Sequence, residues 1–314
     1  MTTNFSIEKL PILTAGGGTE INLCIHHYHA AATGKKVYIQ AGLHGGETAQ
    51  WSLKLLHDFL LNNLQSGEVC IIPYANPLGW LQRTYYATAG KFSAIDGRDI
   101  NRLFPGKADG EMQERICAAL MSQTQGCDLV IDLHTSKMSN PFAIYTKPEY
   151  EKYIRLCGFT YNQYSDDASI PSLHGTFNAA LDRAGIDNLT IECGGHDEYD
   201  ESKTTAVFAA LKSLLSALGM LQPTETPAEN IYTFEKRLKV FAPVAGLLKL
   251  NKKPGDKVSA GEQIGEILCA QNLAETQVVK TPINGILHTI IPSHICWEGD
   301  IVCEVIPENN LNQL

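Results

Sequence analysis

Four short stretches of this chain combine side chains that bind metals, move protons or hold carboxylates. His44-Gly-Gly-Glu47 offers an imidazole and a carboxylate three residues apart, both good zinc donors that a turn can aim at one ion. The glycines between them permit backbone conformations that a Cβ would hinder. Glu47 also opens a run of helical periodicity, where a carboxylate is favoured without any metal, so this pair alone leaves both readings open. His134 closes the apolar run CDLVIDLH. A histidine at such a strand end can supply a third ligand and leave one zinc position for water; alone, it would equally pass for a satisfied core residue. Asp99-Ile-Asn101-Arg102 adds a planar bidentate cation and a neutral donor, suited to a carboxylate or to a surface ion pair. Glu192, in TIECGG, is a carboxylate after an apolar strand, which suits a general base with a raised pKa.

These residues need a scaffold, and the pattern around them supplies one. KKVYIQAGLHGG (36–46), EVCIIPYAN (68–76), CDLVIDLHTS (127–136), PFAIYTK (141–147) and NLTIECGG (188–195) read as strands. ETAQWSLKLLHDFLLNN (47–63), GEMQERICAALMSQTQ (110–125), SLHGTFNAALDRAG (172–185) and ESKTTAVFAALKSLLSALG (201–219) read as helices. The alternation predicts an α/β fold: a mainly parallel mixed sheet with helices on both faces and sites at the carboxyl ends of strands.

After MLQPTETPAEN (220–230) the pattern changes to short β-branched runs broken by Gly and Pro. FAPVAGLLKL…PGDKV (241–258) is echoed by KTPINGILHTI…EGDIV (280–302), with Pro243/Gly246 matching Pro282/Gly285. Two similar halves predict a small C-terminal β-barrel or sandwich over 228–314, beside a hydrolase part over 1–227. The tail resembles the biotinyl/lipoyl-carrier fold, but Ala274 stands where a carrier lysine would fall, so it reads as a structural or access-limiting module.

Composition narrows the partners. The chain has 314 residues, 44% hydrophobic and 19% charged, with a formal charge of -9. That disfavours coating of nucleic acid or anionic membrane. Nine cysteines without a CxxC, a start with no basic and apolar leader, and no run long enough for a membrane span read as a reduced, soluble, cytoplasmic protein. The apolar runs of the tail leave homo-oligomerisation open.

In order, HGGE, NPLGW with a following arginine, DINRLFPG, DLHTS and TIECGG resemble the succinylglutamate desuccinylase/aspartoacylase family of the zinc-carboxypeptidase clan. The resemblance covers roughly residues 36–195 and extends to the β-module. It implies one zinc ion held by His44, Glu47 and His134, with Glu192 as general base and Asn101–Arg102 clamping a substrate carboxylate. It further implies Asp99 orienting the first zinc histidine and Arg83, ahead of the YYATAGKFSAIDG insertion, polarising the carbonyl. HGGE departs from the family's HGNE-like motif by the loss of a side chain, and the tyrosine that closes over substrate in some relatives has only loose counterparts in Tyr161 and Tyr164. His174, His196 and Arg183 lie near the expected pocket.

The implied activity is zinc-dependent hydrolysis of the amide bond of an N-acyl amino acid or a similar small carboxylate-bearing substrate. A metallocarboxypeptidase or murein-peptide amidase would use the same site on a short or longer peptide. A non-catalytic zinc- or metabolite-binding protein would have no need of Glu192.

Overall fold

Val37 through Ala41 are all buried, as are the first seven residues of Leu129–Ser136, so both strands must lie inside a sheet covered on both faces. The computed structural model describes residues 3–84, 87–88, 90–166, 169–223 and 230–314, with the backbone alone at 83, 84, 87 and 88. Its first part runs β1 (Asn4–Thr14), β2 (Glu20–His29), β3 (Ala32–Ala41), α1 (Gln50–Asn63), β4 (Ser66–Ile72) and α2 (Pro77–Leu81). A short hairpin, β5 (Arg83–Thr84) and β6 (Ala87–Thr88), precedes α3 (Met112–Gln123), β7 (Leu129–Ser136), β8 (Met138–Ser139) and β9 (Phe142–Tyr145). Then come α4 (Glu151–Cys157), β10 (Tyr161–Tyr164), α5 (Phe177–Ala184), β11 (Asn188–Gly195), α6 (Glu201–Ala217) and β12 (Tyr232–Phe234).

Ten strands form one mixed sheet in the order β1-β2-β4-β3-β7-β11-β9-β10-β12-β21, the last being β21 (Asn312–Gln313). The centre, β4-β3-β7-β11, is parallel. β9 pairs antiparallel with β11 and starts a second parallel set with β10 and β12. One face packs against α1, α4 and α6 through Leu53, Leu56, Ile154, Leu211 and Leu214. The other face packs against α3 and α5 through Ile116, Leu120, Phe177 and Leu181. This is the expected α/β architecture with helices on both faces. The antiparallel N-terminal pair β1–β2 went unread in the sequence.

Past residue 230 the chain builds two further sheets. The first takes the order β13 (Leu238–Phe241), β20 (Ile301–Pro307), β18 (Gly285–Ile290), β15 (Lys257–Val258), with β8 attached to β18. The second takes the order β17 (Thr276–Lys280), β16 (Gln263–Leu268), β14 (Gly246–Leu250), β19 (Ile295–Cys296). Val240, Leu248, Ile264, Ile267, Leu287 and Val302 form a core shared by both sheets. The expected division at 227/228 lies outside the described residues. Both ends of the described tail return to the large sheet, as β12 and β21, and Met138–Ser139 pairs with Thr289–Ile290. The module is therefore stitched to the site-bearing sheet at several points.

Candidate metal and hydrolytic site

The ends of three adjacent parallel strands meet at one point. His44 and Glu47 lie just past β3, His134 is on β7, and Glu192 on β11 pairs across the sheet with His134. His44 and His134 aim Nδ1 at the same oxygen, Glu47 Oε1, at 2.9 and 2.7 Å. All three residues are buried, and one donor atom from each lies within 4.8 Å of the others. The second Glu47 oxygen accepts from the backbone N–H of His44 at 3.1 Å. The helix-capping alternative for Glu47 is not what its carboxylate does: α1 starts three residues later, at Ala49–Gln50, without a side-chain cap.

Each histidine has its far nitrogen tied down. His44 Nε2 donates to Asp99 Oδ1 at 3.0 Å, and His134 Nε2 donates to Asp132 Oδ2 at 2.8 Å. A carboxylate only accepts, so these bonds place a proton on each Nε2 and leave each neutral ring a lone pair at Nδ1. Two such lone pairs then face a carboxylate oxygen, an arrangement that needs a cation between them. This donor set fits a divalent ion bound by two imidazoles and a carboxylate, with the second ring nitrogens held by acids. Burial opposes the charged imidazoles, but the surrounding carboxylates outweigh it and raise the pKa of both rings.

Behind His134 runs a buried polar chain that the sequence reading missed. Tyr38 Oη donates to Gln40 Oε1 at 2.7 Å, and Gln40 Nε2 donates to Asp132 Oδ1 at 2.9 Å. Gln40 pairs directly with Asp132 across β3 and β7. The period-two spacing of Tyr38/Gln40 and Asp132/His134 on neighbouring strands was the available signal.

Glu192 faces a cavity of about 600 Å³ that His44, His134, Asn101 and Arg102 also line. Its Oε2 is buried with no hydrogen-bond partner among the described residues. Burial, aided by the Glu47 charge, raises its pKa against the opposing pull of His134, Arg237 and His44. A carboxylate of raised pKa, with one oxygen lacking a partner among the described residues and three donor groups beside it, is placed to take up a proton. Asp99 differs. Burial would raise its pKa, but the His44 hydrogen bond and charge, with Lys91 and Arg102 at 3.4 Å, hold it at about 2.

Asn101 and Arg102 occupy a single 3-10 turn, Ile100–Arg102, capped by Asp99. Asn101 Oδ1 accepts from the Phe177 N–H at the start of α5, which leaves its amide NH2 as the donor end. Arg102 Nη1 donates to the Asn101 carbonyl at 2.6 Å. Gly175 lies so close that a Cβ there would stand 2.1 Å from the Arg102 carbonyl oxygen.

The other sequence candidates separate. The Arg83 side chain lies outside the described residues. His196 lines the cavity, with Nδ1 at 2.6 Å from the Thr135 hydroxyl. His174 and Arg183 are exposed and do not line it, and neither do Tyr161 and Tyr164. Lys91, Lys137 and Arg237 do line it, unforeseen from their local sequence.

A sheet of this order, with histidines and carboxylates gathered at the carboxyl ends of parallel strands, offers a metal donor set beside a cavity. Residues 33–218 match the family model of the succinylglutamate desuccinylase/aspartoacylase catalytic domain, and the chain belongs to that family. It is 26% identical over 254 residues to the N-alpha-acetyl-L-2,4-diaminobutyric acid deacetylase of Halomonas elongata, covering 74% of this chain and 70% of that protein. The fold is also that of a Shewanella frigidimarina NCIMB 400 protein (TM-score 0.85, 20% identity, 100% and 99% of the two chains). It is shared as well with the product-bound ectoine utilization protein EutE (DoeB) of Ruegeria pomeroyi (TM-score 0.81, 18% identity, 97% and 95%).

Proposed function

We propose that the chain is a zinc-dependent amidohydrolase that removes the acyl group from an N-acyl amino acid or a similar small, carboxylate-bearing amide. The observation that carries this reading is the convergence of His44, Glu47 and His134 at the cavity that Glu192 faces with an oxygen lacking a partner among the described residues. His44, Glu47 and His134 would hold one zinc ion, which would supply Lewis-acid chemistry and lower the pKa of a bound water. Glu192 Oε2 takes the proton from the attacking water, holds it, and returns it to the leaving amine. Asp99 and Asp132 keep the imidazoles turned toward the shared point. Asn101 and Arg102 bind the substrate carboxylate and so set the amide in register with Glu192. Arg83, from its place after NPLGW, stabilises the developing oxyanion, a role worth ~3 kcal/mol for one donor.

Arg237 and Pro292 of the C-terminal module line the same cavity, and a volume of about 600 Å³ suits a small molecule. Both favour a small N-acyl amino acid over the peptides of a carboxypeptidase or murein amidase. We read the module, 228–314, as a wall of the hydrolase part, 1–227, in a cytoplasmic enzyme. No described helix is long and apolar enough to cross a membrane.

The test combines metal analysis with a screen of N-succinyl, N-acetyl and N-formyl amino acids for amine release. A zinc-loaded protein that releases amine from at least one of them supports the reading. A protein that binds no divalent metal, or releases amine from none, overturns it.

A further inference from the structure

We propose that His196 is a catalytic residue: Thr135 holds its ring proton on Nε2, and that N–H donates a hydrogen bond to the substrate's acyl oxygen as the oxygen gains charge. This role rests on the deacylase reading, whereas the placement and tautomer of the ring stand on geometry.

The end of β11 delivers the ring. β11 pairs with β7 as Glu192 with His134 and then as Gly195 with Ser136, so β11 carries one extra residue. Such a bulge re-aims the side chains that follow it. His196 comes next, and its N–H donates to the Ser136 carbonyl at 3.1 Å. The Asp197 N–H donates to the Gly46 carbonyl at 2.8 Å, which ties the turn to the His44–Glu47 segment. Asp197 takes a left-handed φ of 51°, which a residue other than glycine holds only where its surroundings fix it. Glu198 completes the clamp. Its carboxylate accepts from the Gly195 N–H at 2.9 Å and from Lys203 Nζ at 2.8 Å, and its carbonyl accepts from the Thr48 hydroxyl at 2.6 Å. His196 is thereby fixed from the end of β7, from the turn after β3 and from α6, and it lines the cavity with His44, His134 and Glu192.

Thr135 decides which nitrogen carries the proton. Its hydroxyl lies 2.6 Å from His196 Nδ1 and has no other hydrogen-bond partner among the described residues. Thr135 is buried, so a hydroxyl that only accepted there would leave its own O–H unmet, at a cost. Donating to Nδ1 meets it, makes Nδ1 the acceptor and places the ring proton on Nε2. Nothing among the described residues accepts from Nε2, so that N–H is left for a molecule in the cavity. Burial lowers the pKa of the ring against the pull of Glu47 and Asp197. The ring is neutral and keeps its proton.

Glu192 and His196 then divide the work. Glu192 carries a proton from water to the amine, and His196 carries none. As the water oxygen bonds to the carbonyl carbon, the π electron pair passes to the acyl oxygen, and it returns when the C–N bond breaks. A donor already fixed beside that oxygen gains strength as charge develops, without reorganisation. Every N-acyl substrate has this acceptor, so His196 serves rate and leaves the choice of substrate to other residues.

Nitrogen-15 spectra of the zinc-loaded protein, labelled at histidine, report the tautomer. The His196 signals, assigned by their loss in His196→Gln, should show a bare Nδ1 and a protonated Nε2; an Nδ1–H tautomer overturns the proposal. On the best N-acyl amino acid, His196→Phe should lower kcat by ~10²-fold, with KM within about twofold and zinc content unchanged. His196→Gln, whose amide N–H stands in for Nε2–H, should recover about tenfold of that loss. Thr135→Val releases the tautomer and should lower kcat less than His196→Phe does. Should His196→Phe fail to fold, His196→Ala takes its place. A loss carried in KM, a loss that follows zinc content or melting temperature, or no recovery in His196→Gln overturns the proposal. If the wild type hydrolyses no N-acyl amino acid, the spectra decide. A Nε2–H signal that shifts with N-acetyl-L-alanine and not with L-alanine upholds the contact while the deacylase reading falls. No shift, or the same shift with both, overturns the contact too.

Discussion

Asp132 and Asp99 do the same work for the two histidines, and each has a further anchor. Asp132 is held by Gln40, which is held by Tyr38; Asp99 is held by the Asn101 N–H. Removing such an orienting acid usually costs about 10- to 100-fold in metal affinity. Asp132→Asn should weaken zinc binding by that factor in competition with a chelating dye, and Gln40→Leu should weaken it less. Glu192→Gln acts on another step. It should lower kcat by ~10²- to 10⁴-fold with zinc content intact. Loss of zinc in that variant would make Glu192 a ligand and overturn its assignment.

Between residues and molecule stand the elements that hold Arg102 and Arg237 in place. Gly175 is pressed against the Arg102 backbone and its carbonyl accepts the Phe104 N–H. Gly175→Ala must push that turn away, so we expect a raised KM with kcat little changed, and a stability loss of ~1–3 kcal/mol from overpacking. Glu304 ties the β18–β20 pair to Lys137 and Arg237. Burial raises its pKa, but Arg237, Lys137 and the Thr289 hydroxyl outweigh this and lower it on balance. A carboxylate lowered in the folded state adds stability above the ordinary carboxylate range and loses it as pH falls through the lowered pKa. Melting temperature should therefore fall on acidification in the wild type. In Glu304→Gln it should start lower at neutral pH and fall less steeply on that account.

At the scale of the whole molecule the site is a junction of distant segments, so a ligand that bridges them should stabilise everything. His44, Glu47 and His134 join the chain after β3 to β7 at the middle of the ten-stranded sheet. An ion that binds the folded chain alone adds RT ln(1 + [L]/Kd), about 2.7 kcal/mol at a hundredfold excess over Kd. Stripping with a chelator should abolish amide hydrolysis and lower the melting temperature, and added zinc should restore both. Unchanged melting after verified metal removal would show that the three residues hold no structural ion.

Much of this was legible in the one-dimensional pattern. The runs around His134 and Glu192 are apolar on both faces, and a strand buried in that way has few places to go but the centre of a sheet. Strand–helix alternation then put His44, Glu47, His134 and Glu192 at carboxyl ends. Asp99, Asn101 and Arg102 share one turn, so their grouping could be read from adjacency alone. The cluster of Lys137, Arg237 and Glu304 was not legible, because its cations and shared acid come from positions 137, 237 and 304. Nothing in the neighbours of Arg237 distinguishes it from an exposed basic residue of a short-stranded tail. Only the return of β12 to the large sheet and the pairing of β8 with β18 bring those three charges to one cavity. Local periodicity therefore determined the central sheet and the strand ends that carry the candidate metal donors. Long-range strand pairing, which no local spacing encodes, decided what surrounds them.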